Sequence, residues 1–264
     1  MERKTLFYKE RELYYRQVGR GPAVMLLHGF GEDGEIWKRQ WPVLENYRLI
    51  IPDLPGSGHS SPIPDMSMEG LAEAAAFLLK TLAIERCTLI GHSMGGYIAL
   101  AFAELYPRLL QGFGLFHSSA FADSDEKKAT RRKGIDFIQN NGATAFLKTS
   151  IPNLFGPETK TENPELIEQQ IADSHNFSGS ALVSYYESMM KRPDRTHILR
   201  SSAVPVLFIM GRHDAAVPLE DGLKQCFLPE KSYIHILERS GHMGMLEETK
   251  LSNRLVKEFL DSIT

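Results

Sequence analysis

Cysteine is scarce in this chain: two residues among 264, Cys87 and Cys226. They stand far apart, in or near apolar runs, and form neither a metal-ligand nor a redox spacing. Buried free thiols are therefore expected, not a disulfide. Charge of one sign is also lacking. A net charge of −3 leaves no electrostatic footprint for nucleic acid. No apolar stretch approaches the roughly 20 residues that span a bilayer. The charged start, Met1-Glu2-Arg3-Lys4, lacks the apolar core of a signal peptide. A cytoplasmic protein is expected, with no nucleic-acid partner and no membrane span. Internal repeats and low-complexity segments are missing as well. What remains has the size of one large α/β domain, or of a domain with an insertion.

Charged, strand-like runs at 4–9 and 12–18 predict an antiparallel hairpin at a sheet edge, where charge is tolerated. Short apolar runs at 23–27, 47–52, 87–90, 112–116, 204–210 and 232–237 predict further strands, the continuous ones covered on both faces. Residues 32–44 read as a loop and short helix, with Trp37 and Trp41 on one helical face. Helical period marks 67–82, where Leu71, Ala74, Ala75, Leu78 and Leu79 share a face. It also marks 96–106, stopped by Pro107, and 249–263, with a short helix at 222–227. Strand and helix alternate up to residue 117, which argues for a parallel sheet with helices on both faces. Residues 119–202 then offer no convincing strand. They carry helical patterns at 123–140, 143–150, 164–176 and 179–191, with a shorter one near 194–200.

The stretch Leu89-Ile90-Gly91-His92-Ser93-Met94-Gly95-Gly96 reads as a strand, a sharp turn and a helix, with a serine at the apex. A serine on so tight a turn leaves no room for side chains two residues to either side, hence the glycines. It also places the hydroxyl near a helix N-terminus, where backbone N–H groups can stabilise an oxyanion. The spacing alone is weak: about one random chain in ten of this size carries it. Its company is what matters. Ligands and catalytic groups in open parallel sheets gather at the carboxyl ends of strands. His28-Gly29-Phe30, Ser93, Asp214 and His242 all sit at such ends. Serine needs a base to take its proton, and histidine needs a carboxylate to fix its tautomer.

With those residues in place the chain resembles the α/β-hydrolase fold family. The matching features are His28-Gly29-Phe30, Asp53-x-Pro55-Gly56-x-Gly58-x-Ser60, Gly91-His92-Ser93-Met94-Gly95-Gly96, Gly211-x-x-Asp214-x-x-x-Pro218 and Ser240-Gly241-His242. They run from about residue 20 to the end, the helical block excepted. The resemblance implies a mostly parallel eight-stranded sheet with helices on both faces. Residues 1–118 and 203–264 would form the core, and 119–202 a helical lid inserted after the sixth strand. It implies Ser93 as nucleophile, His242 as base and Asp214 as orienting acid, with the backbone N–H groups of Phe30 and Met94 as oxyanion hole. No metal or cofactor is expected. Asp221 and Glu238 are alternative acids, but Asp214 is preferred for its strand-end position. His28 and His92 read as shaping turns, His59, His117 and Asp53 as organising loops, and His213 as structural or pocket-lining. Gly56-Ser57-Gly58 lacks the third glycine and the lysine of a phosphate loop.

A serine at the apex, where dehalogenases and epoxide hydrolases of the resembled family carry aspartate, favours acyl transfer. The expected activity is hydrolysis of a small to medium carboxylic ester through an acyl-enzyme. Expected pocket liners are Phe121, Phe146, Leu154, Phe155, Tyr185 and Met189 from the lid, with Val217 and Met243 from core loops. Arg131, Arg132 and Lys133 read as a solvated helix face; turned inward, they favour an anionic substrate. Carbon–carbon hydrolase, lactonase, perhydrolase and menaquinone-synthesis lyase activities are alternatives on the same triad. Carbon–carbon hydrolases often carry Asn where this chain has His92, which counts against them. A small-molecule receptor that retains the triad is a further alternative.

Overall fold

The computed structural model describes residues 2–174 and 177–263. β1 (Glu2–Tyr8) and β2 (Arg11–Val18) form the expected antiparallel hairpin. β3 (Ala23–Leu27), β4 (Arg48–Pro52), β5 (Cys87–His92), β6 (Leu110–Phe116), β7 (Val206–Gly211) and β8 (Ser232–Leu237) complete an eight-stranded sheet. Its spatial order is β1-β2-β4-β3-β5-β6-β7-β8. β2 is antiparallel to both neighbours, and every pairing from β4 to β8 is parallel. β3, β5 and β7 are buried along their whole length, as their unbroken apolar sequences require. Helices cover both faces.

α1 (Met68–Thr81) begins where Ser67 Oγ accepts from the Gly70 N–H at 3.0 Å, and it buries the predicted face. α2 (Met94–Leu105) leaves β5 with only Ser93 between them. Between β6 and β7 lie α3 (Asp125–Asn141), α4 (Ala143–Ser150), α5 (Pro157–Glu162), α6 (Pro164–Asp173), α7 (Gly179–Lys191) and α8 (Thr196–Arg200), with no strand among the described residues. The helix expected over 164–176 ends at Asp173; residues 175 and 176 lie outside the described residues, as do 1 and 264 at the ends of the expected core. α5 spans six residues, too few to show a period in sequence. After β7 come α9 (Leu219–Leu223), α10 (Gly244–Glu247) and α11 (Thr249–Ile263). α9 replaces the helix expected at 222–227, because Pro218 sets the entry three residues earlier than the apolar pattern suggests. Trp37 and Trp41 do not share a helical face. They lie in separate 3₁₀ turns, Gly34–Trp37 and Trp41–Val43, the second started by Pro42. Trp37 is buried edge-on against Phe116 at 5.8 Å, while Trp41 is half-buried. Both cysteines are buried free thiols. Among the described residues no helix is long and apolar enough to cross a membrane.

The strand order reverses beside β3: the chain steps to β4 on one side, then crosses through α1 to β5 on the other. A crevice opens at the carboxyl ends of strands at such a point. The β3, β4 and β5 loops meet there, and a buried ion pair anchors the outermost of them. Arg16 of β2 is 2% exposed and reaches Asp53 Oδ1 at 2.5 Å and Glu35 Oε1 at 2.7 Å. Asp53, fully buried, also accepts from the backbone N–H groups of Gly34 and His59, both at 2.9 Å. Arg16→Met strands this carboxylate without a counter-charge. It is expected to destabilise the fold by about 3–5 kcal/mol, read as a lowered urea midpoint; an unchanged midpoint would contradict the role given to the pair.

Candidate active site

Ser93 occupies the junction of β5 and α2 with φ 51° and ψ −115°. Few side-chain-bearing residues hold positive φ, and the surroundings over-determine it. The Ser93 N–H donates to Phe116 O at 2.9 Å, and Ser93 O accepts from Gly96 N at 2.9 Å and Ser118 Oγ at 2.7 Å. A Cβ added at Gly91 would lie 2.1 Å from Gly95 O, and one at Gly95 would lie 2.6 Å from Leu27 O. No larger residue fits either place. Met94, the first residue of α2, has an N–H with no intrahelical acceptor. The His28–Phe30 loop crosses close by, since a Cβ on Gly29 would come within 3.2 Å of Ser93 Cβ.

Asp214, after β7, accepts four hydrogen bonds. Oδ1 takes the N–H groups of Ala216 and Val217 at 2.9 and 2.8 Å. Oδ2 takes His242 Nδ1 at 2.7 Å and His117 Nδ1 at 3.2 Å. Burial opposes the charged carboxylate, but the two histidines and these donors outweigh it and hold its pKa well below the usual range. His242 Nδ1 is thus committed, leaving Nε2 for proton transfer in the cavity that His242 and Ser93 both line. His117 Nε2 accepts from the Gly244 N–H at 3.1 Å, which places its proton on Nδ1 and leaves the ring neutral. Burial pushes the His117 pKa down to about 4, against the pull of Asp214. The other two acids considered are elsewhere: Glu238 pairs with exposed Arg212 at 2.7 Å, and Asp221 lies at the cavity rim beside Lys224.

A second buried pair lies beneath Ser93. His92 faces Glu32 Oε2 through Nδ1 and the His242 carbonyl through Nε2, each at 2.9 Å. Both partners are acceptors, so both ring nitrogens donate and the ring is an imidazolium. Burial opposes that charge, but Glu32 outweighs it and raises the His92 pKa; Glu32 is lowered in turn. Glu32 Oε2 also accepts from Gly29 N at 2.7 Å. One ion pair therefore links the loop before Phe30 to the main chain of His242. His28 is neutral: its Nε2 accepts from Leu54 N at 2.8 Å, and burial lowers its pKa.

The helical segment is tied to the histidine loop. The His242 N–H donates to Leu154 O at 2.6 Å. Glu247 accepts from the N–H groups of Gly156, Gly241 and Met243 and from Thr159 Oγ1. Core and helical segment together enclose a cavity of about 480 Å³ that reaches Ser93 and His242. Of the expected liners, Leu154, Met189 and Val217 are in its wall, as is Phe30. Phe121, Phe146, Phe155, Tyr185 and Met243 are not. The Tyr185 hydroxyl instead donates to Pro55 O at 2.5 Å and lies 3.1 Å from Ser57 Oγ. Its neighbour Tyr186 takes the cavity place, stacked on Phe30 at 4.2 Å. Leu147 likewise lines the cavity, while Phe146 packs edge-on against Phe30 and Tyr186. Phe155 and Met243 are core residues, and Phe121 offers its carbonyl to Arg192. His213 and His59 are exposed, and Arg132 and Lys133 face solvent, but Arg131 turns inward. Glu32 and Glu247 were not singled out for the site by sequence; a buried charge has no local signature, although the acid two residues after Phe30 was visible. His117, read from the sequence as organising loops, joins the Asp214 and Gly244 loops.

Residues 22–130 match the family described as alpha/beta hydrolase fold. The chain is 31% identical to a 2-hydroxy-6-oxononadienedioate/2-hydroxy-6-oxononatrienedioate hydrolase of Burkholderia vietnamiensis, over 95% of this chain and 91% of that protein. It is 29% identical to a 2-hydroxy-6-oxo-6-phenylhexa-2,4-dienoate hydrolase of Burkholderia cepacia, over 94% and 91% respectively. Among solved structures, a thermophilic esterase from Thermogutta terrifontis, with malate bound, superposes with a TM-score of 0.92. It shares 30% identity and covers 100% of this chain and 99% of its own.

A histidine held neutral below its ordinary value of 6.5 binds its proton more tightly when unfolded. Stability conferred by keeping His117 neutral is therefore full above about pH 6.5 and lost as pH falls toward about 4. One such proton corresponds to about 1.4 kcal/mol per pH unit. His28 adds to the slope with the same sign. His117→Asn keeps a side-chain donor for Asp214 but removes the titration. Urea unfolding between about pH 4.5 and 6.5 should show a slope shallower by about one proton; an identical slope in the variant would contradict the neutral assignment.

Proposed function

This chain belongs to the α/β-hydrolase fold family and is an enzyme of the hydrolase class; we propose that it is a serine hydrolase acting on a small to medium carboxylic ester. The observation that carries the proposal is the 2.7 Å bond from His242 Nδ1 to Asp214, with His242 and Ser93 lining one cavity. Asp214 fixes the His242 tautomer, so Nε2 takes the Ser93 proton as Oγ attacks the carbonyl carbon. The oxyanion is held by the N–H groups of Met94 and Phe30, worth a few kcal/mol to the transition state. His242 then protonates the leaving alkoxide. An acyl-enzyme remains. Water, deprotonated by His242, attacks it, the bond to Ser93 Oγ breaks as His242 returns that proton to Oγ, and the carboxylic acid leaves. Residues 119–202 act as a lid over the core, and the cavity beneath it admits small to medium acyl and alcohol groups.

A second reading is favoured by the curated relatives: hydrolysis of a carbon–carbon bond next to a ketone, on the same triad. The side chain of His92 is wholly engaged by Glu32 and the His242 carbonyl, so it brings no free polar group to such a substrate. A structural relative at 30% identity is an esterase, which supports the ester reading.

Short-chain p-nitrophenyl esters and a dienone carboxylate, assayed side by side, separate the two. Ester turnover is expected to exceed carbon–carbon cleavage and to fall by about 10⁴-fold or more in Ser93→Ala. Undiminished ester turnover in the variant would overturn the nucleophile assignment; cleavage of the dienone alone would establish the second reading.

A further inference from the structure

Arg131 lines the cavity that holds Ser93, and so does Lys127, about one turn earlier on α3. The Arg131 side chain is 12% exposed and grips Asp123 through Nε at 2.6 Å and Nη2 at 3.3 Å. From the other side Arg192 reaches Asp123 Oδ1 at 2.8 Å and lays its guanidinium over the Tyr97 ring at 3.7 Å. One buried carboxylate therefore faces two guanidiniums, and one positive charge is left in excess. Lys127 forms no ion pair among the described residues and adds a second. The acids that share the cavity do not cancel them. Glu32 is engaged by His92, Asp221 pairs with Lys224 at 3.5 Å, and Glu126 is exposed to water.

Tyr97 stands four residues after Ser93, in the first turn of α2. It lines the cavity beside this cationic wall. Burial favours the neutral phenol, but Arg192, Lys127 and Arg131 outweigh it and bring its pKa below the ordinary tyrosine value. The local field thus favours an anion, and Asp123 is the one carboxylate set against the three cations.

We infer that Lys127, Arg131 and Tyr97 form a carboxylate subsite, about one helical turn from the reacting carbonyl. The substrate class is then the half-esters of short dicarboxylic acids, the free carboxylate against this wall and the ester over Ser93. The subsite deepens the ester reading and rests on it for the ester group and for Ser93 as the reacting atom. The excess of charge is what separates it from an ordinary apolar acyl pocket: a neutral acyl chain of equal length leaves two cations unpaired, whereas a carboxylate gains charge-assisted hydrogen bonds.

Isothermal calorimetry of the Ser93→Ala variant with monomethyl glutarate and with methyl valerate tests the subsite without requiring turnover, since the two esters match in length and differ by the one free carboxylate. The variant is expected to bind monomethyl glutarate at least about tenfold more tightly, and adding Lys127→Met is expected to shrink that advantage to about threefold or less. Equal affinity for the two esters, or an advantage untouched by Lys127→Met, would overturn the inference. Failure to hydrolyse any ester would overturn the ester reading and the half-ester class built on it, while the binding comparison reads the carboxylate subsite independently.

Discussion

At residue 93 the backbone must turn from a buried strand into a buried helix within a single residue, and it does so with φ at 51°. Such a conformation costs of order 1–3 kcal/mol in a residue other than glycine. β5 and α2 hold it because both are locked in the core, and because Gly91 and Gly95 let the two backbones approach. The same turn lifts the serine to the carboxyl end of β5 and starts α2 with the Met94 N–H, which has no intrahelical acceptor. The cavity, the loop over Gly29 and the histidine loop are all arranged about that point.

Four buried histidines surround the turn, and their partners divide them by charge. His28 and His117 each accept a backbone N–H on Nε2 and are neutral. His92 has acceptors on both sides and is charged. His242 has one nitrogen on Asp214 and the other available for the cavity. This separation keeps protonation change at one ring while its neighbours hold fixed states. Glu32 and Glu247 serve the same end by different routes. The first couples the Gly29 loop to His242 through a charged ring, the second clamps Gly156 and Thr159 to the histidine loop.

The strands were legible because a parallel strand covered on both faces must be apolar throughout, as in Val24-Met25-Leu26-Leu27 and Leu207-Phe208-Ile209-Met210. Ser93 and Asp214 were legible as candidates because each follows such a strand, whereas His242 follows β8, a half-buried edge strand, and was legible from the Ser240-Gly241-His242 motif. The cavity wall was not. Successive residues on a helix point about 100° apart, so choosing Tyr185 over Tyr186, or Phe146 over Leu147, depends on how α7 and α4 are rotated. Tertiary contacts such as the Tyr185–Pro55 bond set that rotation. His117 was legible as a loop organiser, but its bond to Asp214 was hidden for a related reason. Its partners Asp214 and Gly244 are 97 and 127 residues away in sequence.

The central claim is that Ser93 carries the acyl group. Rapid mixing of the enzyme with excess p-nitrophenyl acetate, followed by quenching and peptide mass mapping, tests it most directly. A burst of p-nitrophenol equal to the enzyme concentration is predicted, with one acetyl group per chain on the peptide that contains Ser93. Turnover with the acetyl group on another residue, or with Ser93 never acetylated during the burst, would contradict it.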